Sequence, residues 1–215
     1  MTLIVLKQLP ITEESKATLI DIRMNLFNDA SDTIAEQLYT GEISIGAWEE
    51  SMKQLIREVH ASVAAIAKGG WDEMSWSDWG RLGTPLREQY KYLHGFAQAV
   101  AEKSDTISLN AIKARAHLYG QGAAGSAVLI QAGPELEKLL PYLPRDGSTE
   151  CLMRCRCAWI LEIVDSDKPT KKKVVEAVWT LGVAEHCPTC LDRDGKTVTL
   201  TVPEDTVVPH VIGGY

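Results

Sequence analysis

"LPYLPRDGSTECLMRCRCAWILEIV", Leu140–Val164, is where the texture of the chain changes. Two prolines and a glycine punctuate its first half, and the second half alternates. Cys155, Cys157, Trp159, Leu161 and Ile163 would lie on one face of an extended segment, with Arg156, Ala158, Ile160 and Glu162 on the other. A period of two is the signature of a β-strand. "VVEAVWTLG" predicts a second strand, with Val175, Ala177, Trp179 and Leu181 on one side, and "KTVTLTVP" predicts a third. The charged segment between the first two reads as a hairpin, and its "KPTKKK" cluster, Lys168–Lys173, as a solvated tip.

Upstream the period is helical. Ala17, Ile20, Met24, Phe27, Ile34 and Leu38 recur in steps of three and four, with Ser31 in the missing place, and Gly41 suits a left-handed helix end. Ser44 is placed to cap a second helix whose stripe is Trp48, Met52, Leu55, Val59, Val63 and Ile66, ended by Gly69 and Gly70. Two antiparallel helices joined by a short turn are expected. A capping box is expected from Ser75 to Asp78, and Pro85 either begins the next helix or kinks it. That helix turns Leu86, Tyr90, Leu93, Ala97 and Val100 inward, and Ser108 opens a fourth. Gly120, Gly122 and Gly125 each cost that fourth helix about 1 kcal/mol against alanine, so it needs a closely packed neighbour. The fold expected is α+β: a mainly helical bundle over residues 1–140, then a small metal-stapled antiparallel sheet over residues 141–215.

A sheet of about seventy residues buries little apolar surface, and the cysteines offer the remedy. All five lie in two clusters, Cys151, Cys155 and Cys157 on one side of the hairpin and Cys187 and Cys190 on the other. Cys187-Pro188-Thr189-Cys190 has the spacing that turns two thiolates towards one ion, and a structural Zn(II) site takes four such ligands from two turns. The expected ligands are Cys151, Cys155, Cys187 and Cys190, with Cys157 a spare that can replace Cys151 or Cys155, and His186 the alternate after it. A redox role for the pair is disfavoured because no convincing helix is seen to follow it. Disulfides are disfavoured because the opening apolar run is too short for an export signal.

The remaining residues exclude more than they assign. A net charge of −7 gives no broad attraction to nucleic acid or to an anionic membrane, and no stretch approaches the length of a membrane span. "YGQGAAGSA" lacks the lysine and the preceding strand of a phosphate loop, and no nucleophile elbow or His-Glu-x-x-His appears. His60, His94, His117 and His210 are scattered, and a zinc closed by four thiolates leaves no site for water, so a non-enzyme is expected. Trp71, Trp76 and Trp79 crowd one short segment, either plugging the end of the bundle or making contacts between subunits.

Four stretches together resemble a known family. They are "GEISIGAWEESMKQLIREVHASVAAIAKGG", "WGRLGTPLREQYKYLHGFAQAVAEKSDTISLNAIKARAHLYGQGAAGSA", "YLPRDGSTECLMRCRCAW" and "VWTLGVAEHCPTCLDR". Their order is similar to that of the minor head or head-morphogenesis proteins encoded beside the portal in tailed bacteriophages. The most specific parts are Gly41–Trp48, Lys113–Tyr119 and the two cysteine segments. The resemblance implies a virion protein made in the host cytoplasm that assembles with capsid, portal or neck proteins or with copies of itself. The competing expectation is a cytosolic zinc-ribbon module that contacts nucleic acid or protein.

Overall fold

A computed structural model describes residues 11–102, 106–167 and 170–214. The opening apolar run and two members of the basic hairpin cluster, Lys168 and Pro169, lie outside the described residues. The described chain is α+β, with helices first and a four-stranded antiparallel sheet last. It divides into two compact units between Ser126 and Ala127.

Helix α1, Glu13–Tyr39, opens at a capping box formed by Thr12 and Ser15. At its far end Gly41 is left-handed at φ 77°, and the amides of Glu42 and Ile43 turn back to the Gln37 carbonyl. Helix α2, Ile45–Lys68, is capped by the Ser44 hydroxyl and ends at left-handed Gly69. Helices α1 and α2 pack together, as their stripes require. The α1 stripe is rotated from the expected one, however. Ile20, Phe27, Ser31 and Ala35 are buried, while Met24, Ile34 and Leu38 are half-buried. The small Ala35 thus takes the buried place expected for Ile34.

Between α2 and the next long helix, a 3₁₀ turn at Trp71–Glu73 leads into the short helix α3, Trp76–Arg81. The expected Ser75–Asp78 box is present in both directions. Its carboxylate also meets Lys68 Nζ at 3.3 Å, which ties α3 to the end of α2. Helix α4, Gly83–Glu102, accommodates Pro85 in its first turn and buries Leu93, Ala97 and Val100. Tyr90 donates its hydroxyl to the Lys53 carbonyl of α2, and Trp48 meets Phe96 edge-on at 6.0 Å.

Helix α5, Leu109–Leu139, starts on the Ser108 hydroxyl and is interrupted at Gly133, whose φ of 64° and ψ of 169° are followed by Pro134. Its first half lies against α1. A Cβ on Gly120 would sit 2.7 Å from the Phe27 ring, so the missing side chain is what permits the approach. One turn earlier, His117 Nε2 reaches Asp32 at 2.7 Å and Lys113 Nζ reaches Glu36 at 2.6 Å. Deeper in the same unit, His60 is fully buried with Nδ1 2.7 Å from the Ser126 hydroxyl, and its Nε2 has no hydrogen-bond partner among the described residues.

In the second unit, a 3₁₀ turn at Leu152–Arg154 precedes β1, Ala158–Asp167, and a hairpin leads to β2, Lys172–Thr180. After a short helix α6, Pro188–Arg193, come β3, Thr197–Pro203, and β4, Val211–Gly213, giving the order β3-β2-β1-β4. The three expected strands are therefore joined by a fourth. It was hidden because "VIG" is too short to alternate, and its partner residues Ala158–Ile160 are far away in sequence. Trp159 and Trp179 face each other across β1 and β2, next to the Leu161–Ala177 pair, and all four residues are buried. The register shifts between Ile163 and Asp165, and Ile163 is half exposed, so the inward face ends at Leu161.

Two expected outcomes follow from the packing of the first unit. Gly120→Ala should lower stability by about 1 kcal/mol in denaturant titration, because crowding the rigid Phe27 ring outweighs alanine's helical advantage. Gly122→Ala should be neutral or stabilising, since there the new Cβ meets only the movable end of Gln89. The second outcome concerns pH. Burial lowers the His60 pKa from 6.5 to about 4, so between those values the unfolded chain takes up a proton that the folded chain refuses. The stability held by neutral His60 is complete above pH 6.5 and is lost as pH falls towards 4, by about 3 kcal/mol. Unfolding titrations of His60→Asn, which keeps a group able to bond Ser126, should show a flatter profile across that range.

Candidate metal centre

An aromatic layer positions the cysteines. Tyr142 stacks on Trp159 at 5.3 Å and meets Trp179 edge-on at 5.0 Å, and Trp159 donates its indole N–H to the Tyr142 carbonyl at 2.9 Å. The Arg193 guanidinium lies 3.6 Å over the Tyr142 ring and donates to the Ser148 hydroxyl at 3.1 Å. These contacts fasten the end of α6 to the linker that carries Cys151. Cys190, three residues before Arg193 on the same helix, is thereby turned inward and fully buried. On the opposite side Thr189 donates to Glu150 at 2.8 Å, which joins the start of α6 to the residue before Cys151.

The sulfurs of Cys151, Cys155 and Cys190 lie within 4.8 Å of one another and can hold a metal ion. Cys190 Sγ is 3.7 Å from Cys151 and 3.8 Å from Cys155, and Cys187 Sγ is 3.7 Å from Cys151. A tetrahedron with metal–sulfur bonds of about 2.3 Å has sulfur–sulfur edges of about 3.8 Å. Three of the four residues expected as ligands, Cys151, Cys155 and Cys190, thus come together, and Cys187 reaches the group through Cys151. Cys157 is fully buried beside them, with its sulfur 3.8 Å from His186 Nδ1. His186 Nε2 lies 2.8 Å from the Gly182 carbonyl, which accepts its proton and leaves Nδ1 as the free donor atom.

Electrostatics keep the buried sulfurs protonated unless a cation is present. Burial pushes the Cys190 thiol well up, and the thiols of Cys187 and Cys157 push it further. Burial likewise raises Cys155. A divalent cation removes both penalties by neutralising the thiolates it binds. Glu150 responds in the opposite direction: the Cys187 thiol, a backbone amide and the Thr189 hydroxyl bond its carboxylate and draw its pKa down to about 2.

Several of these residues were not visible in the sequence. Gly182 matters for its carbonyl and because a Cβ there would collide with the Arg156 carbonyl oxygen, and nothing in its local spacing announces either role. Thr149, whose hydroxyl is 3.1 Å from Cys151 Sγ, and Arg193 are equally silent. One expectation is corrected: a helix does follow the Cys-x-x-Cys pair, with Cys187 at its N-cap and Pro188 as its first residue. Its six residues were too few to show a helical period.

The three tryptophans part company. Trp71 and Trp79 stack on each other at 5.3 Å and are half-buried, whereas Trp76 is 92% exposed. No helix among the described residues is long and apolar enough to cross a membrane. Comparison with protein-family models, with curated proteins and with solved structures gave no match.

Cys190 is the sulfur closest to the middle of the cluster, so Cys190→Ser should abolish metal retention. Loss of the staple should melt the sheet, read as loss of tryptophan near-ultraviolet signal and rapid proteolysis after Leu139, while the far-ultraviolet helical signal largely persists.

Proposed function

We propose that this protein is a structural component of a tailed-bacteriophage virion, in the head or in the portal and neck region, acting by protein–protein assembly. Its sheet unit is stapled by structural zinc. The observation that carries the metal part is the 3.7–3.8 Å spacing of sulfurs drawn from two segments of the chain. A donor set dominated by thiolates selects zinc over magnesium, calcium or manganese, which prefer oxygen. Four thiolates around one ion close it to water, and the centre then serves folding rather than hydrolysis.

Trp76 supports the assembly reading. An indole that is 92% exposed gains nothing for the monomer, yet it stands on a helix anchored by the Ser75–Asp78 box and the Lys68–Asp78 ion pair. A large aromatic on a fixed support can enter a pocket of another subunit without first paying to order itself. The stacked Trp71 and Trp79 form the floor beside it. The resemblance in the Gly41–Trp48, Lys113–Tyr119 and cysteine segments supports capsid, portal or neck proteins, or further copies of this chain, as the partners.

Mass-spectrometric composition of purified particles from the encoding phage or prophage tests the location, and absence of the chain from them would refute it. Trp76→Ser tests the mode of action. The variant should keep its helical signal and its stability to within about 0.5 kcal/mol, as exposed positions do, while losing incorporation or self-association. Normal incorporation of the folded variant would remove Trp76 from the interface.

A further inference from the structure

The four sulfurs assigned to zinc fall into two pairs that share no atom. Cys151 Sγ lies 3.7 Å from Cys187 Sγ, and Cys155 Sγ lies 3.8 Å from Cys190 Sγ. Each pair takes one sulfur from a residue flanking the 3₁₀ turn at Leu152–Arg154 and one from the start of α6, so both contacts join the same two stretches of chain. All five cysteines are free thiols. A disulfide bond is about 2.05 Å long, so each contact is about 1.7 Å from bonding distance, a gap that small rotations of two side chains can close. The pairs differ in access, since Cys151 and Cys187 are half-buried while Cys155 and Cys190 are buried. Cys157, whose sulfur lies 3.8 Å from His186 Nδ1, belongs to neither pair.

We propose that this centre is a staple with two interchangeable forms, four thiolates on one zinc ion under reducing conditions and the disulfides Cys151–Cys187 and Cys155–Cys190 under oxidising ones. The inference rests on the zinc reading above and adds a redox behaviour to the same four residues. Hydrogen peroxide is the oxidant. A thiolate of the accessible pair, Cys151 or Cys187, attacks one peroxide oxygen; the O–O bond breaks, hydroxide leaves and a sulfenic acid remains. The thiolate of its partner then forms the S–S bond and expels a second hydroxide. The buried pair reacts likewise, so four thiolates and two peroxides give two disulfides, four hydroxides and the released ion, with two electrons taken from each pair. What distinguishes this centre is the direction of the new bonds. Both disulfides join the segments that the metal joined, so oxidation replaces the cross-link instead of removing it. The chain folds as thiolates and meets the oxidant afterwards, and the sheet unit keeps a staple in either kind of compartment.

The test uses the full wild-type chain, produced with added zinc under reducing conditions and desalted. Elemental analysis should first find one zinc ion per chain, and none would overturn this inference together with the zinc reading. Two equivalents of hydrogen peroxide are then added in the presence of a zinc-binding dye. All the zinc should be released, one titratable thiol should remain, and peptide mapping should place Cys157 there and find Cys151 joined to Cys187 and Cys155 to Cys190. Other pairings, a disulfide containing Cys157, or sulfinic acids in place of disulfides would overturn the exchange and leave the zinc reading standing. The oxidised, zinc-free chain should keep the tryptophan near-ultraviolet signal and the protease resistance of its sheet unit, and losing them would also overturn the exchange. A reduced chain stripped by a chelator should lose both properties, and its keeping them would overturn the staple in either form.

Discussion

Five sulfur atoms share one small space in the second unit, and most of that unit is arranged around the cost of keeping them there. Buried thiols resist ionisation, as the raised Cys155 and Cys190 show. The cluster is tolerable either as neutral thiols or as thiolates around cations, and only the second gives the sheet a source of free energy beyond its modest core. The aromatic layer of Tyr142, Trp159 and Trp179 and the Arg193 clamp act as scaffolding, because they hold the two cysteine segments together without any help from a metal.

The first unit solves a different problem with different means. Among the described residues it has no comparable cluster, and it depends on close helix approach, with Gly120 against Phe27 and Ala35 on the buried stripe. Polar groups pair across its helices, His60 with Ser126 in the interior and His117 with Asp32 and Lys113 with Glu36 nearer the surface. Of these, His60 carries the greatest cost, since a fully buried imidazole with one unpartnered nitrogen must stay neutral.

Much of this could be read from the chain. Helix limits were visible because capping chemistry is local: Ser44, Ser75, Ser108, Gly41 and Gly69 each serve the role their neighbours in sequence imply. The inward face of β1 and β2 was legible for the same reason, as alternation needs only one strand to be recognised. Which of two adjacent residues faces inward on a long helix is not local, and Ala35 is buried where Ile34 was expected. Strand β4 and helix α6 are too short to have a period, so only their long-range partners define them. At the metal centre, the cysteines declared themselves by type and spacing, whereas Gly182, Thr149 and Arg193 act through a carbonyl, a hydroxyl and a cation–ring contact that no spacing encodes.

The brevity of β4 leaves its mark on β1. With Val211–Gly213 covering only Ala158–Ile160 and His210 bonding the amide of Leu161, the outer side of β1 from Glu162 onward has no neighbouring strand among the described residues. An open strand edge invites pairing with another chain. Here the register shift at Ile163 and Asp165 twists the edge out of plane, and the exposed carboxylates of Glu162 and Asp165 set like charge against like wherever two copies try to align. This open edge of the sheet is thus blunted against pairing with a second copy of itself.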